Sequence, residues 1–119
     1  MRGSEVNVSV IFTGLTITFL KEYGYGLLVS LPLLLTLGAG IILLGQLVGK
    51  AEGWSHFDSF YWSFITATTV GYGDIRPVKR RSKLVAILIA ILGLLLTGFL
   101  IALAVRAATV ALQTHVGAN

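Results

Sequence analysis

Apolar, uncharged residues dominate this chain of 119 residues and form two long stretches. The densest parts are residues 27–48 (LLVSLPLLLTLGAGIILLGQLV) and residues 84–105 (LVAILIAILGLLLTGFLIALAV), each 22 residues long. At about 1.5 Å per residue, a helix of that length spans about 33 Å, which is enough for a hydrocarbon core of about 30 Å. The pattern predicts two membrane-spanning helices, over about 25–49 and about 82–108.

Composition argues against the alternative that both stretches are buried helices of a soluble protein. Hydrophobic residues make up 55% of the chain and charged residues 12%, whereas soluble domains carry about a quarter charged residues. Too little polar surface remains to cover two such helices in so short a chain. Pro32, inside the first stretch, predicts a mild kink, which membrane helices tolerate.

A third uncharged segment, SFYWSFITATTVGYG at residues 59–73, lies between the two stretches. Fifteen residues are too few to span a bilayer, so we predict a short re-entrant helix over about 58–68, capped by Asp58 or Ser59. Two glycines then disfavour further helix, and a strip of irregular backbone follows. Such backbone is tolerated at membrane depth only inside protein or along a watery path. Because two helices cannot enclose it, the order of elements predicts a symmetric oligomer.

The strip 69–73 has the chemistry to replace the water around a cation. Backbone carbonyls can supply stacked rings of oxygen ligands, and a threonine hydroxyl can add the innermost ring. The backbone must then alternate between right- and left-handed conformations, which explains Gly71 and Gly73. The preceding helix ends near Thr68 and directs partial negative charge toward the axis. An ordinary turn is the alternative for Gly-Tyr-Gly, and its position between two spans disfavours it.

Side chains around the strip are predicted to support it. Trp62 and Tyr72 can form an aromatic cuff that fixes its diameter. Asp74, just beyond the strip, can accept a hydrogen bond from Trp62 and concentrate cations at a pore mouth.

Residues 69–73 spell TVGYG, the known sequence of potassium filter loops. With Tyr61-Trp62-Ser63, the run 66–74 and Pro77, the chain resembles the two-transmembrane potassium channel family, pore-only relatives of bacterial proton-gated and calcium-gated channels, over about 25–110. The resemblance implies an all-α membrane protein in which two transmembrane helices flank a re-entrant pore helix and a selectivity filter, assembled as a homotetramer. It implies passive, potassium-selective conduction, with K⁺ bound at Thr69, Val70, Gly71 and Tyr72 and the filter ending at Gly73.

The same resemblance assigns further roles. Gly93 falls at the hinge of the pore-lining helix, although close packing by a small residue is an equal alternative. Ile65 stands behind the filter, where some relatives have a carboxylate, which implies weaker filter inactivation in this chain. The resemblance places the cavity and the inner gate, where the helix bundle closes, at Thr97, Ile101, Val105 and Thr109.

Charge and resemblance disagree about orientation. Six of the nine Lys and Arg residues lie in the segment 50–83, which by the positive-inside rule would face the cytoplasm. The resemblance instead implies cytoplasmic termini in a bacterial or archaeal plasma membrane. The cluster Lys79, Arg80, Arg81 and Lys83 is then predicted to bind anionic lipid headgroups or only to snorkel to the interface. It forms no stripe with aromatics, so nucleic acid is not predicted.

The ends of the chain carry less information. Residues 1–4 (MRGS) are typical of an expression-vector leader, and residues 1–24 are predicted to be strand-like or, preferably, an interfacial segment at the membrane surface. Residues 111–119 are predicted to be a short cytoplasmic tail with His115 solvated. No nucleophile–base pair or metal-ligand spacing indicates an enzyme. A less selective cation channel and a non-conducting membrane scaffold remain the alternatives to a potassium pore.

Overall fold

The computed structural model describes residues 2–116, and side chains from residue 8 onward. This part of the chain folds into four α-helices and contains no strand: α1 Arg2–Val29, α2 Leu31–Glu52, α3 His56–Ala67 and α4 Arg80–His115. Of these, α2 and α4 are long and apolar enough to cross a membrane. The helices form two compact units, one of residues up to Leu31 together with those from Phe99 onward, and one of Pro32–Gly98.

Proline ends the first helix and starts the second. Pro32 has no N–H group, and its ring clashes with the carbonyl four residues earlier, so the helix cannot continue through it unchanged. The N–H of Ser30 still donates to the Gly26 carbonyl at 3.0 Å, and the helical run is interrupted at Ser30 itself. The sequence predicted only a mild kink here, and α2 therefore begins at Leu31 rather than near residue 25.

The unit Pro32–Gly98 has a small core that joins α2, α3 and α4. Its buried members are Ile41, Val48, Trp62, Ala67 and Ile89. Small residues allow the close approach of α2 and α3, because a Cβ on Gly45 would collide with Ser63 and one on Gly49 with Ser59. The other glycines of α2 do not make such contacts: nothing lies within 4 Å of a Cβ on Gly38, and Gly40 makes only an ordinary contact with Leu92.

The second unit pairs α1 with the C-terminal part of α4. The Tyr23 hydroxyl donates to the Leu100 carbonyl at 3.4 Å, and Thr18 Oγ1 lies 2.7 Å from His115 Nε2. The strand-like alternative for the N-terminal segment is therefore wrong, while its position at the membrane surface stays a prediction. His115 is half-buried and belongs to α4, so the prediction of a solvated tail histidine is also wrong. Residues 117–119 of the predicted tail lie outside the described residues.

The re-entrant helix starts earlier than predicted. Ser55 is its N-cap, and the Ser55 hydroxyl accepts a hydrogen bond from the Asp58 N–H at 3.1 Å. Asp58 sits in the first turn, where its negative charge complements the helix dipole. Asp58 and Ser59 are thus inside α3 rather than capping it, because Ser55 already satisfies the free amide at the helix start.

Candidate functional site

The contact between Gly93 and the end of α3 shows how far along α4 the strip 69–73 begins. Gly93 is buried in α4, and a Cβ there would collide with the Ala67 carbonyl at the C-terminal end of α3. Gly93 lies thirteen residues beyond Arg80, the start of α4, which at about 1.5 Å per residue is about 20 Å along the helix. Because a hydrocarbon core is about 30 Å thick, this distance along α4 lies within the length of a helix that spans it, and the strip 69–73 begins at that level.

The backbone of the strip alternates in handedness. Thr69, Gly71 and Gly73 have φ values of +66°, +55° and +81°, and among the described residues no non-glycine other than Thr69 has positive φ. The two glycines adopt this region without steric cost. Thr69 does not, since a β-branched residue with positive φ is an outlier that costs about 1–3 kcal/mol. The surrounding structure therefore holds Thr69 in a conformation that its side chain disfavours.

In the strip 69–73, N–H groups form hydrogen bonds with α3, whereas the carbonyls form none within the described chain. The N–H groups of Val70 and Gly71 both donate to the Ile65 carbonyl, at 3.0 and 3.2 Å, and the Thr69 N–H donates to the Thr66 carbonyl at 3.2 Å. No hydrogen bond among the described residues uses a carbonyl of residues 69–73 as its acceptor. The end of α3 thus occupies the N–H groups of Thr69, Val70 and Gly71, while the carbonyls of the strip stay available as ligands.

The strip is exposed on one side and has a cavity on the other. Residues 69–74 are exposed, with Val70 at 51% and Tyr72 at 73%. Behind them lies a cavity of about 140 Å³ whose lining includes Trp62, Ile65 and Tyr72. The structure thus places Trp62, Ile65 and Tyr72 around one cavity, and their support of the strip stays a prediction. Ile65 also contributes through its backbone, as the acceptor for two strip amides.

Tyr61, rather than Trp62, holds Asp74. The Tyr61 hydroxyl donates to Asp74 Oδ2 at 3.0 Å. The Trp62 ring is buried instead and packs edge-on against Trp54, with centroids 5.2 Å apart. Desolvation raises the pKa of the Tyr61 phenol, and the hydrogen bond to Asp74 raises that pKa further. The phenol therefore stays protonated, as a donor, at neutral pH.

A carboxylate that the sequence analysis did not single out ties the return segment to α2. Glu52, the last residue of α2, accepts hydrogen bonds from the N–H groups of Val78 at 2.9 Å and Lys79 at 3.1 Å. The Lys79 ammonium in turn donates to the Ala51 carbonyl at 2.6 Å. The buried Ser82 hydroxyl lies beside the Glu52 carboxylate without a hydrogen bond of standard geometry. These contacts join the end of α2 to the start of α4.

Farther along α4, the residues predicted to line a cavity and gate share a face. Thr97, Ile101, Val105 and Thr109 follow each other at intervals of four, so they lie on one stripe of the helix. Ile101 is 58% exposed and Val105 60%. The Thr109 hydroxyl donates back to the Val105 carbonyl at 2.8 Å. The stripe is therefore available to face other copies of the chain or an aqueous axis.

Two spanning helices that flank a re-entrant helix and an exposed strip define an integral membrane protein of the pore-forming class. The family model described as "Ion channel" matches residues 29–110, which is more than half of the chain. The chain belongs to this ion-channel family.

Potassium channels are among its relatives. The chain is 53% identical over 53 residues to TWiK family of potassium channels protein 7 of Caenorhabditis elegans, covering 44% of this chain and 10% of that protein. It is 46% identical over 63 residues to potassium voltage-gated channel subfamily A member 5 of Rattus norvegicus, covering 47% of this chain and 10% of the relative. Subfamily A member 4 of Homo sapiens is 43% identical over 63 residues, with the same coverage. The chain thus spans about a tenth of the length of these relatives. No solved structure matches it significantly.

Proposed function

We propose that this chain is the subunit of a potassium-selective pore that conducts K⁺ passively through a filter formed by residues 69–73. One observation carries the proposal: the carbonyls of this strip have no hydrogen-bond donor within the described chain, although the strip begins at membrane depth. Buried carbonyls must find a partner, and a ring of them around a cation replaces its hydration shell. Thr69, Val70, Gly71 and Tyr72 supply these oxygens.

A homotetramer completes this site. A single copy leaves residues 69–74 exposed, and exposed irregular backbone is not tolerated in lipid. Much of α4 is also exposed and apolar, including Leu84, Ile91 and Leu95. Four copies around one axis bury the strip against itself and leave its carbonyls facing a path for ions.

Potassium is favoured over a less selective cation pore by two observations. The similar proteins from three species are all named as potassium channels. Tyr72 also retains the full TVGYG pattern, whereas an acidic residue at that position would favour weaker selectivity. A non-conducting scaffold is disfavoured because it would have no use for unpaired carbonyls at membrane depth.

The finer parts of the proposal concern gating and orientation. Val105 and Thr109 form the inner gate below a cavity lined by Thr97 and Ile101, while the close packing of Gly93 on Ala67 favours a packing role over a hinge at that position. The termini lie in the cytoplasm, as in the bacterial proton-gated and calcium-gated channels that the pore sequence resembles. The basic cluster at the start of α4 then lies at the opposite face of the membrane, against lipid headgroups.

Ion flux from liposomes tests the proposal. Purified protein is reconstituted with K⁺ inside, and efflux is compared with Na⁺ as the competing ion and Ba²⁺ as blocker. Selective, Ba²⁺-sensitive K⁺ flux is expected, and it should be lost in Gly71→Ala, which forces a side chain into a left-handed position. The matched control is Gly38→Ala, where a Cβ meets nothing within 4 Å. Equal Na⁺ flux would contradict selectivity. Absent flux together with a subunit count other than four would contradict the pore.

A further inference from the structure

The paired helices α1 and α4 continue beyond the membrane interface. Glu22 of α1 and Arg106 of α4 approach each other to 4.0 Å, and this pair marks the interface, because charged side chains are costly in hydrocarbon. Residues 107–115 extend α4 past this pair, by about 14 Å. Near the far end, Thr18 is hydrogen-bonded to His115 at 2.7 Å. The two helices therefore stay paired outside the hydrocarbon.

The outer surface of this part of α1 is apolar. Residues 8–20 contain no Asp, Glu, Lys or Arg, while Phe12, Ile17 and Leu20 are 64%, 59% and 62% exposed. A helix that lies on lipid carries Lys or Arg on its polar face, and this segment has none. Exposed apolar surface outside a membrane marks contacts with protein, so a protein partner is the cover that fits α1.

A groove between α1 and α4 opens on one side of the pair. It has a volume of about 340 Å³ and is lined by Leu15, Thr16, Phe19 and Leu20 of α1 and by Ala108, Ala111 and Leu112 of α4. A water-sized group takes about 30 Å³, so the groove holds roughly eleven such groups, enough for two leucine side chains. Most of the groove lies outside residues 29–110, the part of the chain that the ion-channel family model matches.

The same end of α4 presents an exposed apolar stripe. Its members are Ile101, Val105, Leu112 and Val116, which are 50–60% exposed and share one face of the helix. The stripe continues the one proposed to face the axis of the pore. Leu112 belongs to the stripe and also lines the groove. A copy that turns its stripe toward the shared axis therefore turns its groove toward a neighbouring copy.

We propose that the groove of one subunit receives the exposed stripe of a second copy, so that four α1–α4 pairs close into a ring outside the membrane. Such a contact joins two different surfaces of each copy, and it closes into a ring when the rotation between copies is that of the assembly. The ring presupposes the tetramer of the proposed function. It gives α1 a role in joining subunits rather than in lying on the membrane surface.

One residue pair in this contact follows from the pairing of the helices. Leu20 lies midway between Thr18 and Glu22, and the α4 partners of those two are nine residues apart. Leu20 is therefore level with the middle of that segment, near Thr109. Both side chains are exposed, and Leu20 lines the groove. Across a ring with a common axis, Leu20 of one copy is expected to lie close to Thr109 of the next.

Cysteine cross-linking of the purified, reconstituted protein tests this contact. The chain contains no cysteine, so a double variant with Leu20→Cys and Thr109→Cys carries only the introduced thiols. Oxidation with copper phenanthroline should give covalent trimers and tetramers on a non-reducing gel, because each chain is then linked to two others. Either single variant can link at most two chains. Lys21→Cys with Thr109→Cys is the control, since Lys21 is exposed beside Leu20 but outside the groove, and it should give dimers at most.

A second comparison tests the apolar part of the contact. Leu20→Ser should lower the temperature at which the tetramer dissociates in detergent by several degrees, whereas Ile17→Ser, at a similarly exposed residue outside the groove, should leave it unchanged. Equal shifts would overturn the ring. The subunit count without cross-linking separates the two proposals. A count of four with no product larger than a dimer in the Leu20→Cys, Thr109→Cys variant would overturn the ring alone, whereas a count other than four would contradict the proposed tetramer as well.

Discussion

Gly93 in α4 and Ala67 at the end of α3 are packed so closely that a Cβ atom on Gly93 would collide with the backbone of Ala67. The sequence allowed two roles for Gly93, a hinge or a close-packing residue, and this contact supports the packing role. It also fixes where the strip 69–73 starts, because Ala67 is the last residue of the helix before it. A residue of α4 thus positions the strip without touching it.

Gly93→Ala is therefore expected to destabilise the protein and to disturb the strip. Inserting a methyl group into packed backbone costs about 1–3 kcal/mol in the free energy of unfolding. A shift of α3 would relieve the clash with Ala67. We expect a lower thermal midpoint of the assembled protein and loss of most K⁺ flux. Gly38→Ala is the control, since a Cβ there meets nothing and alanine favours helix by about 1 kcal/mol. Full stability and flux in Gly93→Ala would show that α3 is not held by this contact.

Glu52 is expected to hold the segment after the strip. Glu52→Gln keeps the shape of the side chain but removes the charge that two backbone N–H groups bond, and charged acceptors form the stronger hydrogen bonds. The thermal midpoint should fall, and limited proteolysis should cut faster between the strip and α4. Glu22→Gln is the matched control, because Glu22 contributes only a partly exposed ion pair of 4.0 Å. Equal effects of the two changes would argue against the Glu52 contact.

The two spans and the re-entrant helix were predictable because their signals are local. The length of the two apolar stretches predicted α2 and α4. The glycines after the short uncharged segment predicted where α3 ends. The cap of α3 also has a local signal: Ser55-His-Phe-Asp58 has the spacing of a capping box, which marks Ser55 rather than Asp58 or Ser59 as the cap.

Other features depend on contacts between distant parts of the chain. The Glu52–Val78 bond spans 26 residues, and the Thr18–His115 bond spans 97. No local pattern marks either partner, because one glutamate or histidine near a helix end fits a solvated role equally well. The choice of Tyr61 over Trp62 as the partner of Asp74 is similar. It follows from the burial of Trp62 against Trp54, which helix spacing alone does not determine.

Tyr61→Phe should weaken the support of the strip through Asp74. The change removes only the hydroxyl that donates to Asp74 Oδ2, so packing is retained while the carboxylate loses its donor. We expect a shorter-lived conducting state in single-channel recordings and a modest drop in thermal midpoint. Tyr25→Phe is the control, since Tyr25 is 62% exposed. Identical open times in Tyr61→Phe and wild type would exclude a role for this hydrogen bond in conduction.

The raised pKa of Tyr61 predicts how the stability of the protein changes in alkaline solution. A tyrosine whose pKa is higher in the folded than in the unfolded protein stabilises the fold fully below the ordinary value of 10.0. That contribution is lost as the pH rises through the folded value. Wild type should therefore lose more stability than Tyr61→Phe between neutral pH and pH values above about 10. Thermal midpoints of both proteins across this range measure the difference, and parallel curves would contradict it.

Thr18 and His115 are expected to be coupled energetically at the end of α4. Their side chains are hydrogen-bonded at 2.7 Å, and the His115 ring packs over Gly14, where a Cβ would lie 2.7 Å from the ring. In a double-mutant cycle, Thr18→Val and His115→Ala should each lower stability. The coupling should be about 0.5–1.5 kcal/mol, the net contribution of one hydrogen bond. Thr13→Val is the control on the same helix, because within the described residues the Thr13 hydroxyl bonds the nearby Ser9 carbonyl. Coupling of His115 to Thr13 as large as to Thr18 would mean that the histidine acts through general packing of α1.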